Sequence, residues 1–223
     1  MIEQHTDISA SQVVNIPIID NQEALTSADG YILCGPPPES LQTQCNYKRL
    51  RRQVLKKLLD VDASLPSGLR LRLYEAYRSP GFQQQLFNQH MQDIIEIEPN
   101  LTMKNSYQRT AQLVAPSRSF DGKPLCPPHS TGGAVDIEIV DKQGKVIDFG
   151  MEIQDWRTVP SKLCSSDYTG ISSLAKTNRR LLRSAMLQAG FVNYSREWWH
   201  FSYGDQYWAY MQNKPHAIYG RIE

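Results

Sequence analysis

Residues 129–140 read His-Ser-Thr-Gly-Gly-Ala-Val-Asp-Ile-Glu-Ile-Val, and no other stretch constrains the fold of this chain as strongly. A two-residue period places Val135, Ile137 and Ile139 on one face of a strand and Asp136 and Glu138 on the other. Three branched apolar side chains on one face must cover a core. The acids opposite them need water, a cation or a basic partner. Just ahead, Gly132 and Gly133 let the backbone turn, so that His129, arriving on the rigid Pro127-Pro128 approach, can converge with Asp136.

About sixty residues later comes Glu197-Trp198-Trp199-His200. The two stretches together bring two imidazoles and two carboxylates, in a chain with five histidines in all. Two His and one Asp can hold one zinc ion per chain through three protein ligands, with a fourth position open. A second carboxylate can then act as general base on water activated there. This reading makes His129, Asp136 and His200 the ligands and Glu197 the base of a zinc peptidase. Glu138 is assigned to a pair with a Lys or Arg instead. A strand period would place Glu197 and His200 on opposite faces, so a bend must reunite them, and the adjacent indoles need partners when buried. Arg78 stands where a strand gives way to a loop ending in Pro80. There it can stabilise the oxygen of a tetrahedral intermediate or form a bidentate pair with Glu75.

Bulk properties permit this chemistry without suggesting it. Lys plus Arg number 24 against 23 Asp plus Glu, so no global field favours nucleic acid or an anionic membrane. No window approaches the length of a membrane-spanning apolar helix. The first twenty residues lack a basic n-region and a continuous apolar h-region, which points to the cytoplasm rather than the periplasm. Cys34, Cys45, Cys126 and Cys164 form no CxxC pair, and are read as reduced thiols serving as small hydrophobes.

Along the chain, the first 46 residues read as irregular or as short strands, with a breaker run at Gly35-Pro36-Pro37-Pro38. Leu50, Val54, Leu55, Leu58 and Leu59 predict an amphipathic helix over Tyr47–Leu59. Leu69–Tyr74 alternates as a strand, and a helix should run from Phe82 to about Ile97. Residues 99–128 predict a long loop. A hairpin should turn at Asp141–Gly144 and return through Lys145–Phe149. The clearest helix spans 171–189, with Leu174, Leu181, Leu182, Ala185 and Met186 on one stripe and Gly190 at the C′ position. A last strand falls at Trp199–Tyr203. Helices and strands without a βαβ rhythm imply an α+β fold, a mostly antiparallel sheet flanked by helices. We expect one domain over residues 1–223, with 1–46 packed on it as an irregular segment.

On these residues the chain resembles the zinc D-alanyl-D-alanine dipeptidases of the VanX type. That family's HxxGxAxD block is matched by His129…Asp136, its late ExWH block by Glu197-Trp198-Trp199-His200, and an earlier acid–aromatic–Arg segment by Glu75-Ala76-Tyr77-Arg78-Ser79-Pro80. The resemblance spans roughly residues 47–204. It implies the α+β sheet shared with hedgehog signalling domains, zinc on His129, Asp136 and His200, Glu197 as base and later proton donor, and Arg78 at the scissile carbonyl. The implied substrate is D-Ala-D-Ala or a similar small dipeptide in a closed cavity. Two departures stand out: Pro127 replaces a Ser common two residues before the first His. The family's Gly-x-x-Phe-Asp segment becomes Gly150-Met151-Glu152-Ile153-Gln154-Asp155, leaving Gln154 and the offset Asp155 as alternative substrate contacts. Ser130 and Trp199, inside the two signatures, complete the candidate substrate-binding set. The alternatives are a zinc D,D-carboxypeptidase acting on muropeptides and a non-catalytic zinc-binding hedgehog-like domain. Retention of both Glu197 and Arg78 argues against the latter.

Overall fold

The structure is a computed structural model that describes residues 6–38 and 46–223. Its frame is a five-stranded sheet in the order β2-β4-β5-β7-β6, built from β2 (Leu33–Cys34), β4 (Arg70–Glu75), β5 (Ala134–Val140), β6 (Val192–Asn193) and β7 (His200–Ser202). All pairings are antiparallel except β2 with β4. A second ribbon joins β1 (Leu25–Ser27) to β3 (Arg49–Arg51).

The alternation read for β5 holds. Val135, Ile137 and Ile139 enter the main apolar core, and Asp136 and Glu138 occupy the opposite face. Both acids are nevertheless buried, Glu138 against Arg72 and Asp136 against His129 and His200. Glu138 is satisfied by Arg72, its cross-strand neighbour on β4, which is the pairing expected for it. The core receives Val54, Leu55, Leu58 and Val61 from α2 (Arg52–Ser64), Leu86 and Phe87 from α3 (Pro80–Ile97), and Leu182 and Met186 from α5 (Ser173–Gln188).

Several local expectations change in the folded chain. The helix predicted over Tyr47–Leu59 starts at Arg52, because Leu50 is taken into β3 opposite Thr26. That pairing comes from a segment more than twenty residues away, beyond the reach of local periodicity. The predicted loop at 99–128 contains α4 (Met103–Thr110), started by the Thr102 hydroxyl accepting from Asn105 N–H. Only Ser106 and Thr110 of α4 are buried, so no apolar stripe announced it. At Asp141–Gly144 the turn forms, but its return is a single bridge of Val140 to Val146 rather than a strand. In α5 the helix and the left-handed Gly190 are as expected, whereas Leu174 is exposed and Ala175 and Arg179 face inward instead. Cys34, Cys126 and Cys164 carry free thiols. Burial pushes the pKa of Cys126 and Cys164 up to about 12. Cys45 lies outside the described residues.

The N-terminal segment packs through two places. Ala28 and Ile32 join the main core, while Ile8 and Val13, the latter in the short helix α1 (Ser11–Val14), join a smaller cluster with Val192, Tyr194 and Tyr207. The last helix, α6 (Gln206–Met211), contributes Tyr207 to that cluster.

Candidate metal centre and active site

Strand register sets two of the three donors. Asp136 of β5 stands directly opposite His200 of β7, and such cross-strand pairs hold their Cβ atoms about 5 Å apart. The third donor comes from the 3₁₀ turn Pro128–Thr131. Its exit requires Gly132, at φ +70°, and Gly133, where a Cβ would fall 2.3 Å from the Tyr203 carbonyl oxygen. The glycine pair therefore brings the backbone close enough for His129 to reach the sheet.

The three side chains converge. His129 Nε2 lies 3.2 Å from His200 Nδ1, His200 Nδ1 lies 3.1 Å from Asp136 Oδ1, and His129 Nε2 lies 3.4 Å from Asp136 Oδ2. All three residues are buried. The outer nitrogen of His129 fixes its tautomer. His129 Nδ1 sits 2.7 Å from the Ala76 carbonyl, which can only accept, so Nδ1 carries the proton and Nε2 presents a lone pair. His200 Nε2 faces the Ser202 hydroxyl at 3.4 Å, leaving Nδ1 to face the cluster. Two imidazole nitrogens and a carboxylate thus face one another within 3.4 Å, an arrangement that suits a cation. Tetrahedral ligands about 2.0–2.1 Å from a metal stand about 3.3 Å from each other, which is the spacing found. The donor set fits a metal ion.

Electrostatics agree with this. Burial alone would raise the pKa of Asp136, but the imidazoles of His129 and His200 hold it below the usual carboxylate range. Glu197, also buried, moves the other way: burial and the Asp136 charge push its pKa well up, against the opposing influence of His129 and Arg78. Glu75 and Arg78 neutralise each other, which leaves the Asp136 charge for a cation to balance.

The bend demanded by the Glu197–His200 spacing is present. Successive turns, with Glu197 N–H donating to Tyr194 C=O and His200 N–H to Glu197 C=O, bring Glu197 Oε2 to 3.8 Å from His200 Nδ1. Asn193 staples the bend, its amide donating to the carbonyls of both Glu197 and His200 at 3.0 Å. Trp198 packs inward, stacked on Phe149 at 4.2 Å between centroids, while Trp199 lines the cavity above the donors.

Arg78 forms the pair read for it with Glu75 and also faces the cavity. Its guanidinium is held bidentately by Glu75 and donates to Gln83 Oε1 at 2.9 Å, yet it lines the same cavity as the donor triad and Glu197. A β-bulge between Leu73 and Glu75 shifts the register so that Glu75 lies opposite Asp136, turning both Tyr74 and Glu75 to the cavity. Gln83 was invisible as a site residue, since its role depends on a further bond to Ala115 C=O.

Other candidates fall elsewhere. Ser130 is fully buried and its hydroxyl donates to Arg78 C=O at 2.8 Å, so it braces the arginine loop. Gln154 is exposed and bonded to Glu152. Neither it nor Asp155 is among the residues lining the cavity, because the 3₁₀ turn Ile153–Asp155 aims Ile153 and Trp156 inward instead.

With this geometry in place, comparison with known proteins is decisive for the family. A family model described as D-ala-D-ala dipeptidase matches residues 43–219. The chain belongs to this peptidase family. A D-alanyl-D-alanine dipeptidase of Synechocystis is 30% identical over 197 residues, covering 78% of this chain and 79% of that protein. One from Enterococcus faecium is 30% identical over 140 residues, 62% of this chain and 64% of its own. Among solved structures, VanYB in complex with D-alanine-D-alanine aligns with a TM-score of 0.45 at 16% identity, covering 89% of this chain and 93% of that one.

Proposed function

We propose that this protein is a zinc-dependent dipeptidase that hydrolyses D-Ala-D-Ala or a similar small dipeptide. The observation that carries the reading is one cavity holding a three-donor metal cluster, a buried carboxylate 3.8 Å from it and a fixed guanidinium. His129, Asp136 and His200 would hold the zinc ion. When bound, the ion supplies Lewis-acid chemistry and makes water acidic enough to deprotonate near neutrality.

The chain's own residues do the rest. Glu197, buried beside the donors, takes the proton of the attacking water and hands it to the departing amine as the peptide bond breaks. Water and dipeptide thereby become two free amino acids. Arg78 presents a preorganised positive charge to the carbonyl oxygen as that oxygen becomes an anion. Because Glu75 and Gln83 hold the guanidinium before substrate arrives, little reorganisation is needed in the reaction.

The test is hydrolysis of D-Ala-D-Ala, L-Ala-L-Ala and a tripeptide ending in D-Ala-D-Ala by zinc-loaded protein, beside Glu197→Ala. Cleavage of the D,D-dipeptide alone, lost in the variant, is the expected result. Cleavage of the tripeptide would move the assignment to a carboxypeptidase. Turnover of none, with zinc bound, would overturn the reading.

A further inference from the structure

Ile8 lines the catalytic cavity, although it stands far outside the residues matched by the family model. Its segment is tied down at three points. Asp7 forms an ion pair with Arg196 at 2.5 Å and lies 3.4 Å from the Tyr194 hydroxyl. The Ser9 hydroxyl donates to Ala111 C=O at 3.3 Å. Ile8 itself is buried with Val13, Tyr194 and Tyr207 in the smaller apolar cluster. These anchors join three otherwise separate parts: the chain terminus, the segment after α4 that supplies the wall residues Leu113–Ala115, and the turn leading into Glu197.

We propose that Asp7–Ser9 form a fixed strap that walls the catalytic cavity, making Ile8 a specificity-determining residue that confines the substrate to two residues. A peptide extended at either end needs room beyond the dipeptide, and Ile8 closes one side with a branched side chain that cannot swing away while Asp7 and Ser9 are latched. The strap selects by exclusion. Its effect therefore appears in the ratio of long to short substrates. The inference rests on the dipeptidase reading of the cavity.

The experiment compares wild type, Asp7→Ala, Ile8→Gly and Asp7→Glu in zinc-loaded form. It uses D-Ala-D-Ala, a D-Ala-D-Ala peptide extended at its amino end and one extended at its carboxyl end. We expect the ratio of kcat/KM for an extended peptide to that for the dipeptide to rise roughly tenfold or more in Asp7→Ala and Ile8→Gly, and to return towards wild type in Asp7→Glu. An unchanged ratio in both opened variants, with circular dichroism showing the native fold, overturns the strap. A second readout needs no catalysis: the rate at which diethyl pyrocarbonate labels His129 and His200 in metal-free protein, followed by peptide mass mapping. Faster labelling in the opened variants supports the strap even if no peptide is cut, so its failure and that of the dipeptidase reading are separable. Equal labelling rates in all four proteins count against it.

Discussion

The floor and the walls of the cavity are built by different means. On the floor, Asp136 and His200 are cross-strand partners and His129 enters over a glycine turn, so sheet hydrogen bonding positions two donors and a tight backbone turn the third. The walls draw Ile8 from the terminus, Leu113–Ala115 from the segment after α4, and Ile153 with Trp156 from a 3₁₀ turn. Their positions depend on side-chain packing and a few polar ties between segments distant in the chain. The contrast teaches that bond-breaking chemistry sits on the backbone frame of this molecule and substrate choice on segments packed against it.

The comparison can be broken most severely at the floor. Glu197→Gln keeps shape and burial but removes the proposed base, and should lower kcat by about 10²–10⁴-fold with the zinc content unchanged by elemental analysis. Metal loss from this variant would mean that Glu197 holds the ion rather than the proton. Next in size, Arg78→Ala should reduce kcat by about 10²–10³-fold, since the guanidinium acts on charge that develops only in the transition state. If KM alone rose, steady-state kinetics would place Arg78 in ground-state binding instead.

A wall change should do much less to the chemistry. Trp156→Phe retains an aromatic wall of smaller size, and should alter KM by less than about tenfold while metal affinity, read by competition with a chelator, stays level. A collapse of metal binding in this variant would erase the distinction between floor and walls.

The smallest effect concerns what lies behind the floor. Asp205 caps α6 by accepting from Trp208 N–H at 2.9 Å, and its second carboxylate oxygen is buried without a hydrogen bond among the described residues. Burial raises its pKa despite the bond from Trp208 and the nearby Ser202 hydroxyl, His200 and His129. The folded chain then binds a proton that the unfolded chain releases, so stability must fall as pH rises above the ordinary aspartate range. Asp205→Asn keeps a capping oxygen and removes that slope. Its denaturation midpoint should match wild type in acid and gain on it towards neutral pH. A parallel pH dependence in both proteins would show that Asp205 ionises freely.

Much of the floor was legible because its signals are short. The alternation in β5, the HxxGG turn and the late ExWH block each fall within a dozen residues, and each encodes one mechanical requirement: a face, a tight approach, a base and ligand. The spacing of Glu197 and His200 even required a bend. What supplies it, the Asn193 amide bridging two carbonyls, left no trace in composition or period. The same holds for Gln83 behind Arg78 and for Ser130, which turned out to brace the Arg78 backbone.

The sequence alone therefore determined the chemistry of this protein: which residues can hold a metal, which can move a proton, and which strand presents them. Tertiary structure decided the rest. It moved Leu50 from a helix into β3, recruited Arg78 to both Glu75 and the cavity, turned Ile153 and Trp156 inward in place of Gln154 and Asp155, and set Ile8 against the site. The physical reason is range. A period or a motif reports what neighbouring residues impose on one another, whereas a cavity wall exists only once segments a hundred or more residues apart have been packed together.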